Sequence, residues 1–316
     1  MSHDHEHHHH DHGDHRHGHH GQAHAANYTV AFAVGIGLNL AFVVIEVVYG
    51  ILAHSMALLA DAGHNLGDVL ALALAWGASA LARRGPSARF TYGLRSSSIL
   101  AALFNGGLLL FVTGGIAWEA AQRLFEPAPV AGATVIWVAL AGILINGTSA
   151  MLFARHSRDD INIRGAFLHL AADAAVSLAT ALAGAGILAT GWLWLDPVTA
   201  LAIAAVIVWS SWALLRDSVR MALNAVPGHI DPELVRGYLA KLQGVVEVHD
   251  LHIWGMSTTE TALTVHLVMP QGHPGDAYMA ELCGALRDKF HVHHATIQIE
   301  IGDRAHPCAL APDHVV

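Results

Sequence analysis

The sequence predicts a membrane-embedded all-α bundle of six transmembrane helices, followed by a small α+β domain in the order α-β-β-α-β. Three observations carry this. Six apolar runs, over about 28–52, 57–81, 98–124, 130–153, 165–188 and 197–215, each approach the length that a helix needs to cross a bilayer. The chain of 316 residues is 54% hydrophobic and only 13% charged, too apolar for an ordinary soluble domain of that size. From about residue 224 the pattern changes to short amphipathic elements. The expected divisions are a His-rich tail over 1–27, the helix bundle over 28–220, an α+β domain over 221–303 and a C-terminal tail over 304–316.

Residues 2–24 are low in complexity and hold twelve of the 26 histidines, interleaved with acids as in Asp4-His-Glu-His-His-His-His-Asp11. Such a tract has no apolar residues to bury, so it is expected to be disordered and to capture metal weakly at many points. The interleaved acids argue against an expression tag. The polar opening also lacks the basic and apolar regions of a secretory signal.

Arginine placement sets the orientation of the helices. The second connection carries Arg83, Arg84, Arg89 and Arg95, the fourth Arg155, Arg158 and Arg164, and the exit from the sixth helix Arg216 and Arg220. The first and fifth connections hold no Lys or Arg, so both termini are expected in the cytoplasm. Small residues (Gly106, Gly107, Gly114 and Gly115 in the third run, Gly184 and Gly186 in the fifth) predict close helix contacts. Asp196-Pro197 reads as the N-cap and first residue of the sixth helix.

Two apolar runs carry the same pair of residues. His64 and Asp68 are four apart in the second, and His169 and Asp173 in the fifth, so each pair shares a helix face. An aspartate at mid-membrane costs on the order of 2.5–3.5 kcal/mol on insertion scales, and such groups usually mark an ion pathway. A single intramembrane His is as readily explained by a hydrogen bond to a neighbouring helix. Two copies of one pair favour a shared site. At about 1.5 Å per residue, Asp68 lies roughly 16 Å below the outer face and Asp173 roughly 13 Å above the inner one, nearly level in a core of about 30 Å. Two imidazoles and two carboxylates make a closed tetrahedral shell suited to Zn2+. The set disfavours Mg2+ and Mn2+, which prefer octahedral oxygen sites, and leaves Co2+ and Cd2+ as secondary cargo. A closed shell has no open position for a substrate water, so an enzyme is not expected. Glu46 reads as a proton or ion station or as a residue near the outer interface, and Asp61 as a support for the site or an outer-vestibule charge. For Asn39, Asn105 and Asn146, lining a path and bonding between helices are both open.

In the C-terminal domain, a helix over 231–242 capped by Asp231 precedes strands over 246–256 and 260–269, a helix over 276–290 and a strand over 295–301. Two helices on one face of a three-stranded sheet are expected. The domain is dense in metal-type residues: His249, His252, His266, His273, His291, His293, His294 and Glu300. His266 and Glu300 lie on strands that can be neighbours, which suggests a second zinc site. Cys283 and Cys308 form no disulfide framework. They read as a helix residue and a tail thiol, with His306 and Cys308 also available as a loose cap for the second site.

Together these residues resemble the cation diffusion facilitator family of metal/proton antiporters over nearly all of the chain after residue 27. The resemblance rests on Glu46-Val-Val-Tyr-Gly-Ile-Leu-Ala-His-Ser-Met-Ala-Leu-Leu-Ala-Asp-Ala-Gly-His-Asn-Leu-Gly-Asp68, Tyr92-Gly-Leu-Arg95, the segment 119–130, Leu195-Asp-Pro197 and His249-Asp-Leu-His-Ile-Trp254. It implies six helices, a cytoplasmic domain shaped like a copper chaperone, and a homodimer. It also implies that His64, Asp68, His169 and Asp173 form the transport site, in the version that resembles the zinc-selective branch. His249, His266 and Glu300 match ligands of a zinc site at the dimer interface, and His293 a further ligand position open to supply across the dimer. The loop 83–95 lacks the His and Asp of some relatives, so no metal is expected there, and the long His loop of some eukaryotic members is missing. The implied activity is export of Zn2+ from the cytoplasm in exchange for protons, across the inner membrane of a prokaryote. The partners are lipid, metal ions, protons and a second copy of the chain, with no nucleic acid. A metal-gated channel and a non-transporting zinc sensor are the competing readings.

Overall fold

The computed structural model describes residue 37 and residues 39–154 and 161–312. The histidine tract at 2–24, the start of the first helix and much of the fourth connection lie outside the described residues.

The bundle comprises α1 (Asn39–Leu52), α2 (Met56–Ala82), α3 (Ser97–Phe125), α4 (Gly132–Ala154), α5 (Ile161–Thr190) and α6 (Leu195–Ala222). Among the described residues, five helices, α2 to α6, are long and apolar enough to cross a membrane. Trp76, Phe111, Trp137 and Trp209 stand exposed on the outside of the bundle. Hydrocarbon is a good solvent for such side chains, while the backbone hydrogen bonds stay within each helix.

α2, α3 and α6 form one group, joined by Met56, Ala60, Ala120, Ala200, Ile203 and Ile207. α4 and α5 pack along each other. A Cβ on Gly132 would stand 2.9 Å from the Gly184 carbonyl oxygen, and one on Gly142 would stand 2.7 Å from Ser177 Oγ and 2.8 Å from the Phe42 ring, so α4 can lie this close only with bare backbone. Phe42 of α1 joins Val135 and Val138 of α4. Of the other glycines expected at contacts, Gly106 meets Leu215 and Gly186 meets Leu195, whereas Gly107, Gly114 and Gly115 face open space.

Asp196 does not do what its sequence position suggests. α6 already starts at Leu195, and Asp196 lies buried in its first turn. Its carboxylate turns to the start of α2, accepting from Ser55 Oγ at 2.5 Å, Met56 N at 2.6 Å and Ala57 N at 3.3 Å. Ser55 in turn accepts from Leu58 N at 3.2 Å. The first N–H groups of a helix have no partner within it, and here a neighbouring helix supplies one. α6 also continues past its apolar run to Ala222, bringing Arg216 and Arg220 into the helix as it leaves the bundle.

The C-terminal domain holds α7 (Pro232–Ala240), β1 (Glu247–Gly255), β2 (Thr261–Val268), α8 (Asp276–Phe290) and β3 (Val292–Glu300). Asp231 caps α7, accepting from Glu233 N at 2.9 Å. The sheet order is β1-β2-β3, with β1 and β2 antiparallel and β2 and β3 parallel. Leu263, Val265 and Leu267 of β2 pack with Val235 and Leu239 of α7 and Leu282 and Leu286 of α8 in one core, so both helices cover the same face. β3 begins at Val292, earlier than 295, because His291 takes a left-handed conformation after α8 and turns the chain directly into the strand. The opposite face of the sheet carries His249, His266 and Glu300.

Candidate metal centres

α2 and α5 approach at the level of the paired residues. His64 Nε2 lies 3.2 Å from Asp173 Oδ1 and 3.9 Å from Asp68 Oδ2. His169 Nε2 lies 3.3 Å from Asp68 Oδ2 and 3.6 Å from Asp173 Oδ2. Four ligands at about 2.0–2.1 Å around a tetrahedral ion would stand about 3.3 Å apart; His64, Asp68 and Asp173 have ligand atoms within 4.8 Å of one another, whereas His169 lies outside that group, its ring centroid 6.1 Å from that of His64. Asp173 is buried, His64 and Asp68 are partly exposed, and His169 is half exposed, so the cluster is open on the His169 side. His64 Nδ1 has no hydrogen-bond partner among the described residues.

A second set of polar groups lies one turn away. Asn65 Nδ2 donates to Glu46 Oε2 at 2.9 Å and Asp61 Oδ1 at 3.5 Å, and Ser177 Oγ donates to Asp61 Oδ2 at 3.0 Å. Glu46, Asp61, Asn65 and Ser177 are all buried. This buries Glu46 and Asp61 among the helices, with Asp61 one turn before His64 on α2.

The second centre lies on the open face of the sheet. His249 and His266 pair directly across β1 and β2, and Glu300 enters from β3 opposite Val268. His249 Nε2 is 3.4 Å from Glu300 Oε2, and His266 Nδ1 is 3.0 Å from Glu300 Oε1. The tail folds back so that Cys308 Sγ lies 3.5 Å from His266 Nδ1. One ligand atom from each of His249, His266, Glu300 and Cys308 lies within 4.8 Å of the others. A sulfur at about 2.3 Å and a nitrogen at about 2.0–2.1 Å from one tetrahedral ion would be about 3.5 Å apart. His249 is buried, and among the described residues its ring nitrogens make no hydrogen bond and meet only carboxylates, Glu300 at 3.4 Å and Glu247 at 3.6 Å, an arrangement that leaves room for a bound cation. The donor set fits zinc.

Asp250 also belongs here. Its Oδ2 is 3.3 Å from His266 Nε2 and its Oδ1 is 2.8 Å from His252 Nε2. In a regular strand it would face away from His249, but a bulge between His249 and His252, with φ +49° at Asp250, turns it back. Sequence periodicity gives no sign of that bulge. The carboxylate holds the far nitrogen of His266 and so orients the ring.

His293 is not brought to this cluster within the chain. It sits at the opposite end of β3 from Glu300, roughly 23 Å along the strand, and its Nδ1 accepts from Thr261 N at 3.3 Å. His306 turns to Asp303, 2.9 Å away, and His294 stacks edgewise on Tyr92. His273 Nδ1 accepts from Gly275 N at 3.1 Å, and His291 faces His229.

Burial pushes the Glu300 carboxyl up. Hydrogen bonds from Cys308 and Gln298 and the nearby His249 and His266 outweigh it and hold Glu300 below the ordinary range. The Leu310 N–H pulls the Cys308 thiol down, but burial and the Glu300 and Asp250 carboxylates prevail and keep it above its ordinary range. A coordinated zinc would reverse this, because it deprotonates a thiol ligand.

The family description "Cation efflux transmembrane domain" matches residues 32–222, and "Cation efflux protein, cytoplasmic domain" matches residues 217–301. The zinc transporter ZitB of Escherichia coli is 36% identical over 266 residues, covering 84% of this chain and 85% of that protein. The metal cation efflux system protein CzcD of Cupriavidus metallidurans is 35% identical over 280 residues, 88% of this chain and 87% of that protein. A cadmium, cobalt and zinc/H(+)-K(+) antiporter of Bacillus subtilis is 31% identical over 277 residues, 85% of this chain and 88% of that protein. With both domains matched and such relatives aligned along most of their length, the chain belongs to the cation efflux family, the cation diffusion facilitators, and is a multi-pass membrane transporter.

Proposed function

We propose that the protein exports Zn2+ from the cytoplasm in exchange for protons, with His64, Asp68, His169 and Asp173 as the transport site. The observation that carries this is the convergence of two His/Asp pairs from α2 and α5: His64, Asp68 and Asp173 lie close enough to share an ion, and His169 stands 3.3 Å from Asp68 on the open side. The relatives agree in cargo: ZitB is named for zinc, and the Bacillus protein is named an antiporter for cadmium, cobalt and zinc. Co2+ and Cd2+ are secondary cargo, since both accept the same imidazoles and carboxylates.

Metal ligands must lose their protons to bind, so zinc and protons compete for the site. The reference pKa of His, about 6.5, puts this competition near physiological pH. Zinc enters from the inner side and displaces protons. It leaves on the outer side when protons return, as the helix pair re-exposes the site. Both termini lie in the cytoplasm, the membrane is the inner one, and the working unit is a homodimer joined through the C-terminal domains. Zinc held by His249, His266, Glu300 and Cys308 regulates that unit, provided that it binds one arrangement of the domains more tightly than another.

Proteoliposomes test the assignment directly. Asp173→Ala is expected to abolish zinc uptake and the accompanying pH change inside the vesicles. Wild-type rates in that variant would refute the site. Zinc movement in the wild type without any opposite proton flux would refute the antiport.

A further inference from the structure

We propose that Glu46 and Asp61 form a second proton-binding site, separate from the four transport ligands, that holds one proton while the transport site is empty and loses it when zinc binds. The inference rests on the transport reading above and adds to it where one of the exchanged protons resides.

Both carboxyls are fully buried, and both receive the same amide nitrogen of Asn65. Neither forms an ion pair with Lys or Arg among the described residues. The titratable groups facing them are His64 from α2 and Asp173 from α5, and α4 carries none. Two carboxylates so close, in a medium of low dielectric and without a cation, cannot both ionise, so they share a proton.

Two observations favour a proton over a metal. First, the donors are already aimed inward: the Asn65 amide and the Ser177 hydroxyl direct hydrogens at three of the four carboxyl oxygens. Those hydrogens point at the space that a cation would need. Second, Glu46 Oε1 and Asn65 Oδ1 receive no hydrogen bond among the described residues, although Glu46 and Asn65 are no more than 1% exposed. A proton on Glu46 removes the charge that those donors leave unbalanced. Asn65 suits both states, since its NH2 donates to a carboxylate and its carbonyl accepts from a carboxyl.

The position explains the coupling. Asp61 precedes His64 by three residues and Ser177 follows Asp173 by four, so the pair sits about one turn from the cluster, towards the starting end of α2. A divalent ion in the cluster favours the doubly ionised pair and expels its proton. By linkage, a proton on the pair weakens zinc binding to the same degree. The O–H bond that breaks on Glu46 releases H+ to water, and the same bond re-forms when zinc has left.

Full-length protein in detergent gives the first test, using zinc alone in weak buffer with a pH indicator. Glu46→Gln is expected to bind zinc in the transport site while releasing one proton fewer per ion than the wild type. An equal count in the two proteins would overturn the proposal. Infrared difference spectra give a second measurement that needs no transport. The carbonyl band of a protonated carboxyl should disappear when zinc is added to the wild type, should be missing in Glu46→Gln and should be retained in Glu46→Asp. Absence of that band from the wild type, or its persistence in Glu46→Gln, would likewise overturn it. Loss of zinc binding in Asp173→Ala tests the transport reading separately. A coupling that follows potassium and not pH would assign the pair to a different ion and sink the proposal.

Discussion

Cys308 shows how one side chain can change the chemistry of a site. With the thiolate, the candidate centre on the sheet is a set of two imidazoles, a carboxylate and a sulfur in a single chain, whereas the His/Asp cluster between α2 and α5 has no sulfur. Cobalt-loaded protein should therefore show a sulfur-to-cobalt charge-transfer absorption that Cys308→Ser abolishes. Cys283 lies on α8, outside the centre, and cannot supply the band. Survival of the absorption in Cys308→Ser would remove the thiol from the ligand set. Asp250→Asn should leave the absorption in place and weaken metal binding about 10–100-fold, the usual effect of losing a group that orients a ligating histidine. Unchanged affinity, measured by competition with a chelator, would show that Asp250 is not needed to orient His266. Of these residues, His249, His266 and Glu300 stand out in the sequence as metal-type groups on adjacent strands. Cys308 becomes relevant only when the tail folds back, and Asp250 only through the bulge, which no residue pattern announces.

At the scale of elements, the six spans and the α-β-β-α-β order were legible because apolar length and alternation report directly on what a helix or strand must bury. What was not legible is how helices are rotated against each other. For Glu46 the sequence leaves a buried station and an outer-interface position equally open, until α1 is seen turned inwards against Asn65. Asp196 is the sharper case. Local rules assign it to its own helix, and the structure gives it to α2, 140 residues away in sequence from Met56. Its removal strips three hydrogen bonds from a buried helix start. Asp196→Ala should therefore destabilise the bundle by about 1–3 kcal/mol in detergent unfolding, more than an exposed cap would cost. A variant as stable as the wild type would mean that Ser55 alone satisfies the end of α2.

For the whole molecule, the membrane bundle and the cytoplasmic domain meet at more than the end of α6. Arg95, before α3, pairs with Glu260 in the β1–β2 turn at 2.5 Å, and Ser96 Oγ donates to the Met256 carbonyl at 3.2 Å. A change in the sheet is thus felt at the foot of α3. Chelation of the cytoplasmic zinc should widen the separation between spin labels on the two C-terminal domains of a dimer, and His249→Ala should show the wider separation even with zinc present. Identical distances with and without metal would rule out a regulatory part for that centre. The Asp196 latch has a further mechanical meaning. It ties the starting end of α2 to α6 through three hydrogen bonds, so a tilt of one helix loads the other there. On the proposed reading the cargo ligands straddle the seam between α2 and α5, so a bound ion would rivet that seam and its release would free it.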